Sequence, residues 1–492
     1  MKKMIPALVL LLTISACVKP EPKPEPEPEP DEYKIVGTAN VFMTTVDQEF
    51  LYTEIENGAL IYNKADAPKT GFDVIIDPNK TYQNILGVGA SFTDSSAYLI
   101  NQVLSNQDRD ALMEKLFSRE KGIGISFIRN PMGSSDYSRT FYSYDDQAKG
   151  VTDNDLSDFS IAHDLEDIVP LVKQAYLLNP DLKVMMSPWS APGWMKTSDN
   201  MIGGSLKSSN FDIYAQYFVK TINAYQVQGI DLFAVTVQNE PLYVPNHYPG
   251  MSMSPSQQAD FIKSALKPAF NQAAIKTLIL AYDHNWDRKD YPLEVLKNAE
   301  VEVDGVAWHV YGGSVLAQSE VYREYPKKDV YFTEASGGEW IPPFEQAFLS
   351  QIKTGIDVFR NYSRTYVLWN MALDENNGPV VPGFGNSTCR GVVTVNQTTK
   401  ALTYNLDYYT LAHFSDHLQK DAVRIDSTKG EGNFTSVAFM NPDRSITVVL
   451  YNIKSTPRNA LVHLGDQVIV IDMPQKAVAT LTFKTEIVKS GS

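Results

Sequence analysis

Residues 232–241 read LFAVTVQNEP, and the fold turns on how that stretch is understood. Its first six residues are apolar or β-branched, and the run stops abruptly at Gln238, Asn239, Glu240 and Pro241. So short and uniform an apolar run suits a strand buried on both faces, as in a parallel sheet. A carboxylate at the exit of such a strand packs poorly, but it is well placed for chemistry, because parallel sheets carry their sites at the carboxyl ends of the strands. The plain alternative is an acidic residue opening a surface loop. A partner for Glu240 decides between them.

Working outward, seven more strand-like runs surround this one: residues 85–90, 125–129, 183–187, 277–281, 305–309, 329–333 and 364–369. Helix-like segments alternate with them, at 106–118, 164–178, 211–226 and 343–362. After the opening stretch, Ser254 as N-cap, Pro255 at the first helical position and Gln257 make an S-x-x-Q capping box. Phe261, Ile262, Ala265, Leu266 and Phe270 then recur at helical spacing for one buried face. Strands alternating with helices imply right-handed βαβ units. Eight of them imply an α/β fold, a closed (β/α)8 TIM barrel. An open doubly wound sheet is the alternative, but Gly87-Val88-Gly89 lacks the third glycine of a dinucleotide turn.

The two ends of the chain differ from this middle. Residues 40–45 and 72–76 near the start, and 436–440, 445–453, 467–471 and 477–483 near the end, read as short antiparallel strands. They could build one β-sandwich or two separate small sheets. Ahead of them, Lys2 and Lys3 precede an apolar run from Ile5 to Ile14 and then Ser15, Ala16 and Cys17. That is a secretory signal, too short to span a membrane as a helix, and its end resembles a bacterial lipobox in which Cys17 is lipidated. From Pro20 to Pro30 every second residue is proline with mostly Glu between, an extended acidic tether. The expected division is therefore 1–16 signal, 17–32 lipidated cysteine and tether, 33–80 N-terminal sandwich strands, 81–405 barrel and 406–492 the rest of the sandwich. Localisation would be a bacterial cell envelope, as an outer-membrane lipoprotein facing outward. Cys389 is the only other cysteine, so no intrachain disulfide supports the fold. With 58 acidic against 43 basic residues the formal charge is −15, which argues against nucleic acid as a partner.

The strand exits share a chemistry. In order they bring Asp94, Arg129, Trp189 with Trp194, Asn239 with Glu240, Asp283 with His284, His309 with Tyr311, Glu334, and Trp369 with Asn370. In a barrel all face one mouth. Carboxylates, an Arg, His and Trp together suit a sugar, which stacks on aromatic faces and offers hydroxyls to polar groups. Glu334, ending the seventh strand, lies across the mouth from Glu240. Glycoside hydrolysis needs two carboxyls about 5–5.5 Å apart for retention or ~6.5–9.5 Å for inversion.

At this point the chain resembles glycoside hydrolase family 30, which includes the glucosylceramidases. The likeness rests on GVGASFTDSSA from Gly87, FIRNPMGSSDYS from Phe127, SPWSAPGWMKT from Ser187, AVTVQNEP from Ala234, WHVYGG from Trp308, FTEASGG from Phe332 and VLWNMAL from Val367. It implies a retaining enzyme whose barrel carries one β-sandwich made from both chain ends. By resemblance Glu240 is the acid/base and Glu334 the nucleophile; Asn239 holds the sugar 2-hydroxyl; Asp94 and Trp189 grip outer hydroxyls. Arg129, His309 and Tyr311 surround the nucleophile and Trp369 is a stacking wall. The stretch PGFGNSTCRGVVTVN from Pro382 resembles the endo-β-1,6-glucanase branch, and Asn386 in it is a sugar contact or a turn residue. This implies endo action on a β-1,6-glucan by a monomer that needs no cofactor and meets a membrane only through its anchor. The alternatives are an exo-acting β-glucosidase or glucosylceramidase, a xylanase, and a non-catalytic surface glycan-binding lipoprotein. His413 and His417 lie four apart on a helix without the Glu of a zinc motif, so they read as structural and no metal is expected.

Overall fold

The structure is a computed structural model in which residues 35–429 and 434–484 are described. The expected signal, Cys17 and the tether lie outside the described residues. No helix among the described residues is long and apolar enough to cross a membrane.

Eight parallel strands form the barrel: Gly87–Ser91, Phe127–Pro131, Lys183–Ser187, Leu232–Thr236, Leu278–Asn285, Gly305–His309, Asp329–Glu334 and Ser363–Asn370. The ladder runs first, eighth, seventh and so on down to second, which excludes a doubly wound sheet. Its two end strands, the first and second, face each other across a seam. There Ser126 N–H donates to the Val88 carbonyl at 3.1 Å. Gly89 permits that approach, since a Cβ on it would overlap the Phe127 carbonyl.

The barrel interior is built in layers, and the two-residue period of a strand sets them. Phe127, Met185, Ala234, Leu280, Ala307, Tyr331 and Val367, one from each of the last seven strands, form a buried apolar plug. Two residues further along, the same faces carry Arg129, Ser187, Thr236, His309, Thr333 and Trp369. The fifth strand breaks the count: two residues past Leu280 is Tyr282. There Tyr282 and Asp283 adopt positive φ, 76° and 68°, and the register shifts between Tyr282 and His284. This bulge turns Tyr282 outward among the helices and Asp283 inward.

The helices depart from expectation in two places. The helix expected over 164–178 is broken into Ala162–Glu166 and Ile168–Leu178, because Asp167 leaves helical geometry to bind Asn101, Gln102 and Arg139 through its side chain. The capping box is half made. Ser254 Oγ accepts the Gln257 N–H at 3.1 Å, but the Gln257 amide donates to the Leu206 carbonyl instead of returning to Ser254.

Both chain ends join one sheet, as the resemblance implied. Ile35–Thr45, Thr53–Asn63 and Phe72–Asn84 from the start are laddered with six C-terminal strands between Val423 and Lys484, and the sheet closes on itself. Val41, Ile61, Val74, Val448, Ile471 and Leu481 are among its core. Helix Leu406–Ser415 packs on the barrel against helix Glu345–Arg360, so the barrel continues beyond residue 405. His413 on this helix pins the two units together: its ring nitrogens bond Thr480 at 2.8 Å and Thr44 at 2.9 Å. Burial pushes its pKa down to about 3, so it is a neutral structural histidine.

Candidate active site

The polar layer above the plug is a single network centred on Asp283. Its Oδ2 accepts from Arg129 Nη2 at 2.8 Å, Ser187 Oγ at 2.6 Å and Thr236 Oγ1 at 2.7 Å; its Oδ1 accepts from Thr333 Oγ1 at 2.7 Å and His309 Nε2 at 3.0 Å. Burial would raise this carboxyl, but Arg129 and then His309 hold it well below the carboxylate range. Asp283 stands at a strand exit, but its inward aim depends on the bulge, which no local sequence pattern marks.

Above Asp283 the two glutamates meet. Nη1 of Arg129 donates to Glu334 Oε2 at 2.8 Å, and the Tyr311 hydroxyl donates to Glu334 Oε1 at 2.8 Å. His309 Nδ1 lies 3.1 Å from Glu240 Oε1 and 3.8 Å from Glu334 Oε1. Ligating atoms of Glu240, His309 and Glu334 all fall within 4.8 Å of one another. So close a trio could surround a cation. Yet Arg129 already sets its guanidinium against Glu334, and both His309 nitrogens face carboxylates, so positive charge is supplied from within. Burial lowers the His309 pKa, but Glu334 and Asp283 outweigh it and carry the ring up to about 9.

Glu240 is held by its backbone. It sits at φ 46°, a left-handed geometry that costs a residue with a Cβ roughly 1–2 kcal/mol. Its N–H donates to the Asp283 carbonyl at 3.0 Å and its carbonyl accepts from Tyr243 N–H at 2.9 Å. The adjacent Asn239 gives its Oδ1 to Arg129 Nη2 at 2.7 Å, leaving its NH2 as the end that can still donate.

The cleft over these groups has a volume of about 400 Å³. Trp189 and Trp369 stack at 4.7 Å and 18° along one side, with Arg129 4.9 Å from the Trp189 ring centroid beneath them. Tyr311 and Trp340 line the cleft as exposed side chains, and Tyr243, Tyr248 and His284 complete the lining. Glu240, Glu334, Arg129, Asn239, Trp189, Trp369, His309 and Tyr311 are thus brought together.

Two expected residues are not. Asp94 is buried away from the cleft, with Arg139 on both its oxygens and His163 Nε2 2.8 Å from Oδ1. No lone pair of it faces a ligand, so it does not grip a sugar. The carboxylate on that wall is Asp136, in the loop after the second strand; its Oδ1 is buried without a partner. Burial, and then the charges of Glu334 and Glu240, push Asp136 up to about 8. It stood within the quoted SSDYS segment, where a carboxylate among small residues was the available signal. Asn386 is exposed and does not line the cleft; its loop contributes Cys389 instead. Burial raises that thiol to about 11, leaving it un-ionised and inert.

Comparison with known proteins agrees with this geometry. A model of the glycosyl hydrolase family 30 TIM-barrel domain matches residues 85–418, and one of the family's β-sandwich domain matches 421–481. An endo-1,6-β-D-glucanase of Trichoderma harzianum is 33% identical over 79% of this chain and 82% of its own length. The lysosomal acid glucosylceramidase of Mus musculus is 30% identical over 81% of this chain and 80% of its own. A solved endo-β1,6-glucanase superposes with a TM-score of 0.82 at 30% identity, covering 91% of this chain and all of that one.

Proposed function

The chain belongs to glycosyl hydrolase family 30, and from that premise we propose that it cleaves β-1,6-linked glucan internally, with retention, through a glycosyl-enzyme on Glu334. The observation that carries the stereochemistry is the 4.8 Å limit between carboxylate oxygens of Glu240 and Glu334. So close an approach of one oxygen from each suits direct attack by one carboxylate better than the wider pair that holds a water between them.

In the first step Glu334 attacks the anomeric carbon while Glu240 gives its proton to the departing glycosidic oxygen. In the second, Glu240 takes a proton from water, which displaces Glu334. One proton is therefore shared between the two. Taken singly, burial raises Glu334, opposed by His309 and Arg129. Burial also raises Glu240, but His309, His284 and Arg129 leave it below its ordinary value. As a pair we assign the opposite order. Glu334 accepts from a guanidinium and a phenol, both of which favour its anion, whereas Glu240 has His309 at 3.1 Å and His284 at 3.8 Å on one oxygen and no guanidinium. With Glu240 protonated, Arg129 and His309 balance Asp283 and Glu334.

Support for the glucan comes from the relatives' activities and from the walls: the Trp189–Trp369 pair for ring faces, Asp136 and Asn239 for hydroxyls. A second reading, removal of glucose from a lipid, draws on Leu242, Tyr243 and Val244, exposed beside Glu240. Linear β-1,6-glucan and glucosylceramide assayed side by side separate them; hydrolysis of the lipid alone refutes the glucanase reading. A non-catalytic glycan-binding role is disfavoured by the intact carboxylate pair. We further propose export and lipidation at Cys17, supported by the sequence before it. A Cys17→Ala chain released from the membrane fraction is the expected result, and unchanged anchoring contradicts it.

A further inference from the structure

The catalytic cleft has a neighbour. Behind Tyr311, Ser336 and Trp340 lies a second cavity of about 270 Å³ that shares those three residues with the cleft. Its far side is helix Glu345–Arg360, which contributes Ser350, Gln351 and Thr354, with Arg390 beside them. Trp340 stands between the two spaces and is 52% exposed. Its indole face is open to a ligand passing from one space to the other.

Its position is nevertheless built. Gly337–Gly338 pairs antiparallel with Cys389–Arg390, and Glu339 N–H donates to the Thr388 carbonyl at 2.9 Å. The indole lies against Gly338, where any Cβ would overlap the ring. Arg390 is tied in turn to Asp407, which also takes the Gln351 amide at 2.5 Å. Ser350, Gln351 and Thr354 thus give the cavity a polar wall along the helix.

We propose that this second cavity is a sugar subsite on the leaving-group side of the scissile bond. The inference rests on the glucanase reading above. The glucosyl unit beyond the cut crosses Trp340 with its face on the indole, and the next unit enters the cavity and sets its hydroxyls against the wall of Ser350 and Thr354. A β-1,6 linkage suits this path, because it turns about three single bonds where other linkages have two, so the chain can bend over the Tyr311–Trp340 ridge.

The test uses the whole protein with β-1,6-gluco-oligosaccharides of two to six units, labelled at the reducing end, and an aryl β-glucoside. Trp340→Ala and Thr354→Trp, which fills the cavity from the helix, are compared with wild type. The expected result is a loss in kcat/KM that grows with chain length to tenfold or more at four units and above, with cleavage moving toward the reducing end. A loss equal at all lengths, no loss, or cleavage moving the other way overturns the subsite. If wild type cleaves the aryl glucoside but none of the oligosaccharides, the glucanase reading fails first and the subsite with it.

Discussion

Arg129 and Glu334, 205 residues apart in sequence, meet at 2.8 Å in a site where the guanidinium has no exposure at all. The same guanidinium reaches Asp283 and Asn239, so one side chain orients the nucleophile, the network beneath it and the neighbour of Glu240. Removing one partner of a buried pair typically costs about 3–5 kcal/mol. Arg129→Gln should be destabilised by that order in denaturant unfolding. Arg129→Lys keeps the charge but reaches fewer acceptors, so it should stay folded with kcat/KM down at least a hundredfold. A lysine variant of wild-type activity would refute the orienting role.

Glu240→Ala removes the acid and the base but leaves Glu334 able to attack. Hydrolysis of polymer should fall about 10²–10⁴-fold, while aryl glucosides with good leaving groups still form the glycosyl-enzyme. Added azide should then accelerate turnover and give a β-glycosyl azide, which NMR identifies. An α-azide, or no rescue, contradicts the assignment.

His309 ties stability to pH. Its folded pKa, about 9, lies above the ordinary value of 6.5. The stabilisation it supplies is therefore complete below pH 6.5 and is lost as pH rises through 9. Thermal unfolding measured from pH 6 to 10 should show a falling Tm in wild type, and His309→Gln should lack that part of the slope. Parallel curves for the two proteins would remove His309 as the cause.

Asp136 and Asp94 make contrasting predictions. With its pKa near 8 Asp136 meets the substrate as a neutral carboxyl, and losing such a hydrogen bond is worth about 0.5–1.5 kcal/mol, so Asp136→Ala should lower kcat/KM roughly 2–10-fold. Asp94 accepts the backbone N–H and the guanidinium of Arg139, three residues beyond Asp136 in the same loop. Asp94→Asn should therefore act through that loop. Combined with Asp136→Ala it should add little further loss, a coupling that a double-mutant cycle reads directly. Full additivity would separate the two.

The parts of this molecule legible in the sequence were those set by period and by strand exit. The apolar run at 232–237 reads as a buried strand, and its seven companions give the barrel, because a strand covered on both faces needs a short run of apolar residues. Glu240 and Glu334 followed from where strands end. What escaped depended on deviations from that period. Asp283 faces inward only because the Tyr282–Asp283 bulge shifts the count by one, and Tyr282 alone would have followed the rule. Asp94 was misread because its acceptors are consumed by Arg139 and His163, from segments 45 and 69 residues away, which no local pattern reveals. Asp136 took its place on the wall from a loop with no periodicity. Trp340 is positioned by pairing with Cys389–Arg390, a contact between two loops that neither sequence announces alone.

The stereochemistry of hydrolysis tests the central claim most directly. Linear β-1,6-glucan is cut by the wild-type protein while ¹H NMR follows the anomeric signals before mutarotation. The carboxylate gap predicts β-configured oligosaccharides as the first new reducing ends, with Glu334→Gln giving none. First-formed α-anomers would contradict double displacement at Glu334.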